Sequence, residues 1–171
     1  MTELPKIFYH GSTTPLKAGD FLRPRETFNS DLNQKVSAVF ATPDFNYAKK
    51  FAISSLLSGN GLTWFDNNKM IFQKIKKNVL PKFFVFEIDG GGFQLDARNE
   101  YYFNGKKEIW AVHEFDSLRE IENMKLDIYE FDELQTAVDW SSQKPRQQKI
   151  IDDIVENKKL RKVDIRKIIN N

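Results

Sequence analysis

The sequence predicts an α+β fold that is rich in strands and carries a helical appendage at its C-terminal end. Aromatic residues, which favour strands, are abundant: 15 Phe, 5 Tyr and 3 Trp among 171 residues. Several short apolar runs are bounded by Gly, Pro or Asn, as strands commonly are. From about residue 143 the pattern becomes charged and helix-like. We therefore expect one domain over residues 1–142 and a basic amphipathic helical tail over residues 143–171.

Each of the first two expected strands is followed directly by a polar segment. Residues 6–10 (KIFYH) form a short apolar run that ends in Gly-Ser-Thr-Thr-Pro. Residues 23–34 are polar without a clear period, and we expect an excursion over the surface. Residues 37–41 (SAVFA) predict a buried strand, directly followed by a helix with Thr42 as N-cap and Pro43 in its first turn. The helix is indicated by an apolar stripe with spacings of three and four residues: Phe45, Ala48, Ala52 and Leu56.

The middle of the chain predicts further strands. Residues 70–77 could form a short helix, whereas residues 83–88 (FFVFEI), bounded by proline and by three glycines, indicate a central strand. Asn104 and Gly105 suit a two-residue turn, which predicts a hairpin in which Phe103 faces Lys106. Further strands are expected over 109–115 and 125–131.

The C-terminal part is expected to be helical. Asp132 and Gln135 have the spacing of a capping box for a helix that reaches Trp140. Residues 147–169 show an amphipathic pattern, with Ile150, Ile151, Ile154 and Val155 on one face. The segment 143–171 has nine basic and four acidic residues, a net charge of +5. That charge fits a solvated helix face, or a surface for nucleic acid or an acidic partner.

Composition restricts the possible chemistry. The chain has no Cys, which excludes disulfides, thiolate nucleophiles and Cys-based zinc sites. With His10 and His113 as the two histidines, we expect no metal. The sequence shows no signal segment and no run of membrane-spanning length, so we expect a cytoplasmic protein without a membrane partner. The formal net charge of +2 does not indicate nucleic-acid binding by itself.

Two segments carry the chemistry: FYHGSTTPLKAGDFL near the start and AVFATPDFNYAKKFA about thirty residues later. In this order and setting they resemble the ADP-ribosyltransferase superfamily, particularly its small bacterial rifampin-ADP-ribosyltransferase-like and poly-ADP-ribose-polymerase-like members. The resemblance covers residues 6–57 well and 83–131 loosely. It implies a split-sheet core with flanking helices, NAD as the substrate, and a toxin-like or resistance-type activity among the possible roles.

The resemblance also implies roles for individual residues. His10 would bond a ribose hydroxyl of NAD, and Gly11 would let the backbone approach the nicotinamide amide. Aromatic rings would clamp nicotinamide, with Tyr9, Tyr47 and Phe51 as candidates. Alternatively, His10 bonds the backbone at the end of a strand, and the aromatic rings pack in the core. The full set of expected cofactor-binding residues is Tyr9, His10, Gly11, Ser12, Thr13, Phe40, Ala41, Thr42, Tyr47 and Phe51.

The family places a catalytic acid, usually Glu, near the start of a late strand. Glu108 (in GKKEIWAV) is the first candidate here, followed by Glu114 and Glu100; alternatively, Glu108 is an edge charge that pairs with a neighbouring lysine. The tyrosine usual at the start of the second strand is replaced by Val39. Tyr47, the expected third catalytic residue beside His10 and Glu108, or else Tyr101, would have to take its place in space.

Three functions are compatible with these residues. The first is transfer of ADP-ribose from NAD to a protein, nucleic acid or small molecule, with release of nicotinamide. The second is a catalytically weak or inactive module of the same fold that binds a nucleotide or a protein partner. The third is an RNA-end enzyme resembling the tRNA 2′-phosphotransferases, which ranks last because the sequence shows no basic residue paired with histidine in the expected cleft.

Overall fold

The structure, a computed structural model, describes residues 4–29, 34–59, 63–96, 100–131 and 160–169. Within these ranges it is strand-rich and mainly antiparallel, which confirms the α+β class. The elements are β1 (Ile7–Ser12), β2 (Phe21–Leu22), β3 (Arg25–Asn29), β4 (Gln34–Ala41), α1 (Phe45–Leu57), β5 (Thr63–Asp66), β6 (Lys69–Phe72), β7 (Lys82–Asp89), β8 (Gln94–Leu95), β9 (Tyr101–Phe103), β10 (Lys107–Asp116), α2 (Ser117–Asn123), β11 (Asp127–Phe131), β12 (Leu160–Lys162) and a 3-10 helix (Ile165–Lys167).

The chain divides into two compact units. Unit 1 comprises Met1–Leu56 and Lys82–Asp116, and unit 2 comprises Leu57–Pro81 and Ser117–Asn171. The boundary predicted between residues 142 and 143 lies outside the described residues, as do the helix predicted from Asp132 and the apolar face predicted from Ile150 to Val155.

Unit 1 contains two four-stranded sheets, ordered β1-β7-β10-β2 and β3-β4-β9-β8. As predicted for residues 83–88, β7 is a central strand and pairs antiparallel with both β1 and β10. Apolar side chains of both sheets form one cluster, because alternate residues of each strand point to the same side. Its fully or nearly fully buried members are Phe8, Leu22, Val39, Phe84, Phe86, Ile88, Phe93 and Ile109.

Helix α1 lies against β1, at Gly11. A Cβ atom at Gly11 would clash with the carbonyl oxygen of Ala48 and lie 2.7 Å from the backbone nitrogen of Ala52. Both alanines are buried. The apolar stripe predicted for α1 therefore places its small residues where the backbones of helix and strand approach each other most closely.

The predicted helix start is displaced by two residues. Asp44 is the N-cap, since its Oδ1 accepts a hydrogen bond from the backbone N–H of Tyr47 at 3.0 Å. Thr42, predicted as the cap, instead continues the extended chain and forms an isolated β-bridge with Tyr9. Through this bridge, the N–H and the carbonyl of Thr42 both form hydrogen bonds with the backbone of Tyr9.

Two predictions for unit 1 are wrong because of strand pairing. The segment 23–34, predicted as a surface excursion, contains β3, whose backbone pairs with β4 although its sequence has no alternating apolar pattern. The predicted hairpin across Asn104 and Gly105 does not form: β9 pairs with β4 and β8, whereas β10 pairs with β2 and β7. The strands on either side of this turn thus belong to different sheets.

Unit 2 contains a four-stranded sheet of order β12-β11-β6-β5, with β11 and β6 parallel. Residues 70–72, considered for a helix, lie in β6, which pairs with β5. Residues 160–169, predicted as part of a helical tail, form β12 and a 3-10 helix, because β12 pairs with β11. Glu130 of β11 accepts hydrogen bonds from Arg161 and from the backbone N–H of Ile75.

We expect the change Gly11→Ala to destabilise the protein by about 1–3 kcal/mol or more, the usual cost of overpacking a filled site. The added methyl group would push α1 away from β1. Denaturant-induced unfolding measures the loss. Gly59→Ala is the matched control, since a Cβ atom there meets nothing closer than 3.4 Å. Equal stability of both variants would show that α1 does not depend on this contact.

Candidate functional site

The two segments that carry the proposed chemistry meet through backbone hydrogen bonds. The N–H of Tyr9 donates to the carbonyl of Thr42 at 2.7 Å, and the N–H of Thr42 donates to the carbonyl of Tyr9 at 3.0 Å. This bridge holds β1 beside the point at which β4 ends and α1 is about to begin. The side chains that flank it on both segments are thereby brought to one place.

A cavity of about 660 Å³ lies at this junction. Its size falls in the range typical of small-molecule sites. All ten residues predicted to bind the cofactor line it. The lining comprises Tyr9, His10, Gly11, Ser12, Thr13, Arg25, Phe40, Ala41, Thr42, Pro43, Asp44, Tyr47, Ala48, Phe51, Ser55, Glu100 and Tyr101.

His10 is held by a backbone contact across the two sheets. Its Nδ1 lies 2.7 Å from the carbonyl oxygen of Phe40, and its ring stacks on Phe86 with an interplanar angle of 9°. The pKa of His10 is lowered, mainly by burial and to a smaller extent by the nearby positive charge of Arg25; the bond to Phe40 acts in the opposite direction. The alternative prediction that His10 bonds the backbone is therefore correct, and the same residue also lines the cavity.

This contact fixes the chemistry of the imidazole. A carbonyl oxygen only accepts hydrogen bonds. Nδ1 therefore carries the proton and donates a hydrogen bond to the carbonyl oxygen of Phe40. The lowered pKa favours the neutral ring, in which Nε2 is an acceptor. His10 can therefore accept a hydrogen bond from a ligand hydroxyl without rotating its ring.

Tyr47 and Phe51 lie on one face of α1 and contact each other edge to face, with ring centroids 4.9 Å apart. Both are partly exposed, at 41% and 38%. Core packing, the alternative explanation for their spacing, is thus excluded. The pKa of Tyr47 is raised by burial of its hydroxyl and by the negative charges of Glu100 and Asp44, so the phenol keeps its proton.

Glu100 is the candidate acid that lines the cavity. Two hydrogen bonds to Asp96 position it: its N–H donates to Oδ1 of Asp96 at 3.0 Å, and its carbonyl accepts from the N–H of Asp96 at 2.9 Å. Glu108, the first candidate from sequence, is exposed on β10 opposite Phe21 and is not part of the lining. Glu114 is also outside the lining and forms an ion pair with Lys82.

Val39 stands where the resembled superfamily usually has a tyrosine, and its side chain is buried in the core cluster. Tyr101 of β9 lies opposite Ala41 of β4 and lines the cavity, with its ring edge-on to Phe8 at 5.0 Å. Tyr47 also lines the cavity. Both residues that were expected to compensate for Val39 therefore reach the site.

Sequence reasoning missed several lining residues, above all Arg25, Asp44 and Ser55. Arg25 lies on β3, in a segment without a strand-like pattern, and its position depends on pairing with Ala38. Its presence beside His10 corrects the expectation that the cleft contains no basic residue together with histidine. Ser55 could have been found, because it continues the spacing of four from Tyr47 and Phe51.

Comparison of the chain with protein-family models, with curated proteins and with solved structures found no match. Among the described residues, no group of three His, Asp or Glu side chains is placed to hold a metal ion. None of the described helices has both the length and the apolar character needed to cross a membrane. The cavity and the residues that line it are therefore the observations that bear on function.

The lowered pKa of His10 predicts a dependence of stability on pH. As the pH falls below the usual histidine value of 6.5, the unfolded chain takes up a proton at His10 that the folded protein resists, so the free energy of unfolding falls. His10→Asn should lack this component. Unfolding measured at a series of pH values should therefore show the wild type losing stability relative to the variant below about pH 6.5. Parallel curves would contradict the assignment of a neutral, partly buried imidazole.

Proposed function

We propose that the protein is an NAD-dependent ADP-ribosyltransferase that passes ADP-ribose to an acceptor and releases nicotinamide. The observation that carries this proposal is the convergence of two distant segments, together with Glu100 and Tyr101, on one cavity. Both segments resemble the NAD-binding part of that superfamily. Two four-stranded sheets joined at Tyr9 and Thr42 are compatible with the split-sheet core that the resemblance implies.

The charges in the cavity suit cleavage of a nicotinamide–ribose bond. As the bond between ribose C1′ and the ring nitrogen breaks, positive charge develops on the ribose, and a nearby carboxylate stabilises it. Glu100 supplies this carboxylate in the proposal, with Asp44 as a second negative charge near the Tyr47 hydroxyl. We therefore assign to Glu100 the role that the sequence suggested for Glu108.

The remaining roles follow from bonding capacity. The Nε2 atom of His10 accepts a hydrogen bond from a ribose hydroxyl, while Nδ1 remains bonded to Phe40. Tyr47 keeps its phenolic proton and can donate it in a hydrogen bond. Tyr47 and Phe51 also offer partly exposed rings against which the planar nicotinamide can pack.

The reaction balances without a further cofactor. The electron pair of the C1′–N bond passes to nicotinamide, which leaves as a neutral molecule. A nucleophilic atom of the acceptor forms the new bond to C1′ and gives up its proton. The acceptor is a protein, a nucleic acid or a small molecule, and the basic segment 143–171 is a candidate surface for an acidic or nucleic-acid partner.

The burial of Val39 in the core favours a second candidate function, a weak or inactive module of the same fold. Such a module would bind NAD or another nucleotide in the cavity without breaking a bond of the nucleotide. Calorimetry combined with measurement of released nicotinamide separates the two functions. Binding with release supports the enzyme, and binding without release supports the module.

We expect Glu100→Gln to lower the rate of NAD cleavage by about 100-fold or more while NAD binding changes little, because a neutral amide cannot stabilise the developing positive charge. Nicotinamide release from labelled NAD measures the rate, and calorimetry measures binding. Glu108→Gln removes the same charge from an exposed position outside the cavity and should behave like the wild type. Loss of activity in Glu108→Gln but not in Glu100→Gln would reverse the assignment.

We expect Phe51→Ala to raise the KM for NAD by up to about tenfold with a smaller effect on kcat, since an aromatic contact contributes about 0.5–1.5 kcal/mol. Steady-state kinetics measure both constants. Leu95→Ala, which truncates an exposed apolar side chain of β8 outside the cavity lining, is the control. An unchanged KM in Phe51→Ala would exclude this ring from the nicotinamide contact.

A further inference from the structure

We propose that Arg25 makes one side of the cavity a phosphate subsite, which holds the diphosphate of the dinucleotide. This inference rests on the proposed function for the identity of the ligand. The sequence assigned no role to Arg25, and among the described residues no other lysine or arginine lines the cavity. Its guanidinium can donate two parallel hydrogen bonds to one phosphate, which makes it well suited to this group.

Arg25 is placed by backbone pairing, not by a partner side chain. It lies on β3 opposite Ala38 of β4, in a register fixed along the whole of β3. In the part of the chain that the structure describes, no carboxylate forms an ion pair with it. Its neighbour Glu26, by contrast, forms an ion pair with Lys35 at 3.4 Å. Among the described residues, no carboxylate therefore competes with a ligand for the positive charge of Arg25.

The surroundings of Arg25 favour an anion. It lies opposite Ala38 of β4, the strand whose Phe40 carbonyl oxygen holds His10, and its positive charge opposes protonation of the imidazole. The hydroxyl-bearing residues Ser12 and Thr13 also line the cavity. A phosphate next to a ribose matches this set, with the phosphate at Arg25 and a ribose hydroxyl at His10.

The charge in the cavity is divided. Arg25 lies on β3 opposite Ala38, two residues before Phe40, whose carbonyl oxygen holds His10. The carboxylate of Asp44 instead lies at the start of α1, where it accepts a hydrogen bond from the N–H of Tyr47. NAD has a matching division, with a negative diphosphate and a positive nicotinamide ring. A ligand without phosphate would interact with the carboxylates of Glu100 and Asp44 but would leave Arg25 without a phosphate to bind. The cavity should therefore distinguish nucleotides from nucleosides through Arg25.

The test is a series of ligands that differ in phosphate content. Calorimetry on the full chain would measure Kd for nicotinamide riboside, nicotinamide mononucleotide and NAD with wild type, Arg25→Gln and Arg25→Lys. We expect Arg25→Gln to weaken binding of the two phosphate-bearing ligands by roughly 10- to 100-fold and to leave the riboside unchanged. Arg25→Lys should lie between, because it keeps the charge and loses the planar fork.

Lys35→Gln is the matched control. It removes one positive charge from β4 in the same sheet, at an exposed position outside the cavity, and should leave all three affinities unchanged. A circular dichroism spectrum and thermal unfolding of each variant show whether it is folded. If Lys35→Gln and Arg25→Gln weakened ligand binding equally, the effect would arise from the loss of net charge, and the subsite would be overturned.

Two further probes separate this inference from the proposed function. ADP carries a diphosphate, whereas adenosine 2′-monophosphate carries a single phosphate on the 2′ oxygen of its ribose. Neither probe contains a nicotinamide–ribose bond that could be broken. Arg25-dependent binding of either probe supports the subsite even if NAD is not cleaved, and a preference for ADP ties it to a dinucleotide. Cleavage of NAD with unchanged affinities in Arg25→Gln overturns the subsite alone. No binding of any phosphate-bearing ligand overturns both proposals.

Discussion

The site depends on the backbone bridge between Tyr9 and Thr42. These two hydrogen bonds join the middle of β1 to the residue that follows β4, so that α1 begins beside β1. Gly11 reinforces this arrangement because its missing side chain leaves room for the backbone of α1 at Ala48 and Ala52. Bridge and glycine together shape this part of the cavity through backbone contacts, and a cavity held by the backbone lowers the cost of ordering a ligand.

The same constraint gives two residues a structural explanation beside the functional one. Gly11 was expected to serve a close approach of nicotinamide, yet helix packing alone already requires glycine there. His10 was expected either to bond the backbone or to contact the ligand, and the Phe40 carbonyl uses one ring nitrogen while the ring lines the cavity. In both cases the residue that holds the fold together is also placed at the site.

Much of the site could be predicted from sequence because its main residues lie on two short, recognisable segments. Both segments and the central strand β7 have strong local patterns. The sequence ranked Glu100 behind Glu108 and Glu114 as a candidate acid and assigned no role to Arg25, because the places of both residues depend on long-range pairing of β9 and β3 with β4. The Asn-Gly turn was misleading for the same reason: local turn preference predicts a hairpin, whereas partners from other sheets decide where β9 and β10 pair.

A crystal structure of the protein with bound NAD or a non-cleavable analogue would test directly whether this cavity binds the dinucleotide. We expect the nicotinamide ribose to lie between the imidazole of His10 and the carboxylate of Glu100, inside the cavity lined by both segments. Electron density for the dinucleotide at another surface, with this cavity filled by solvent at saturating ligand, would contradict it.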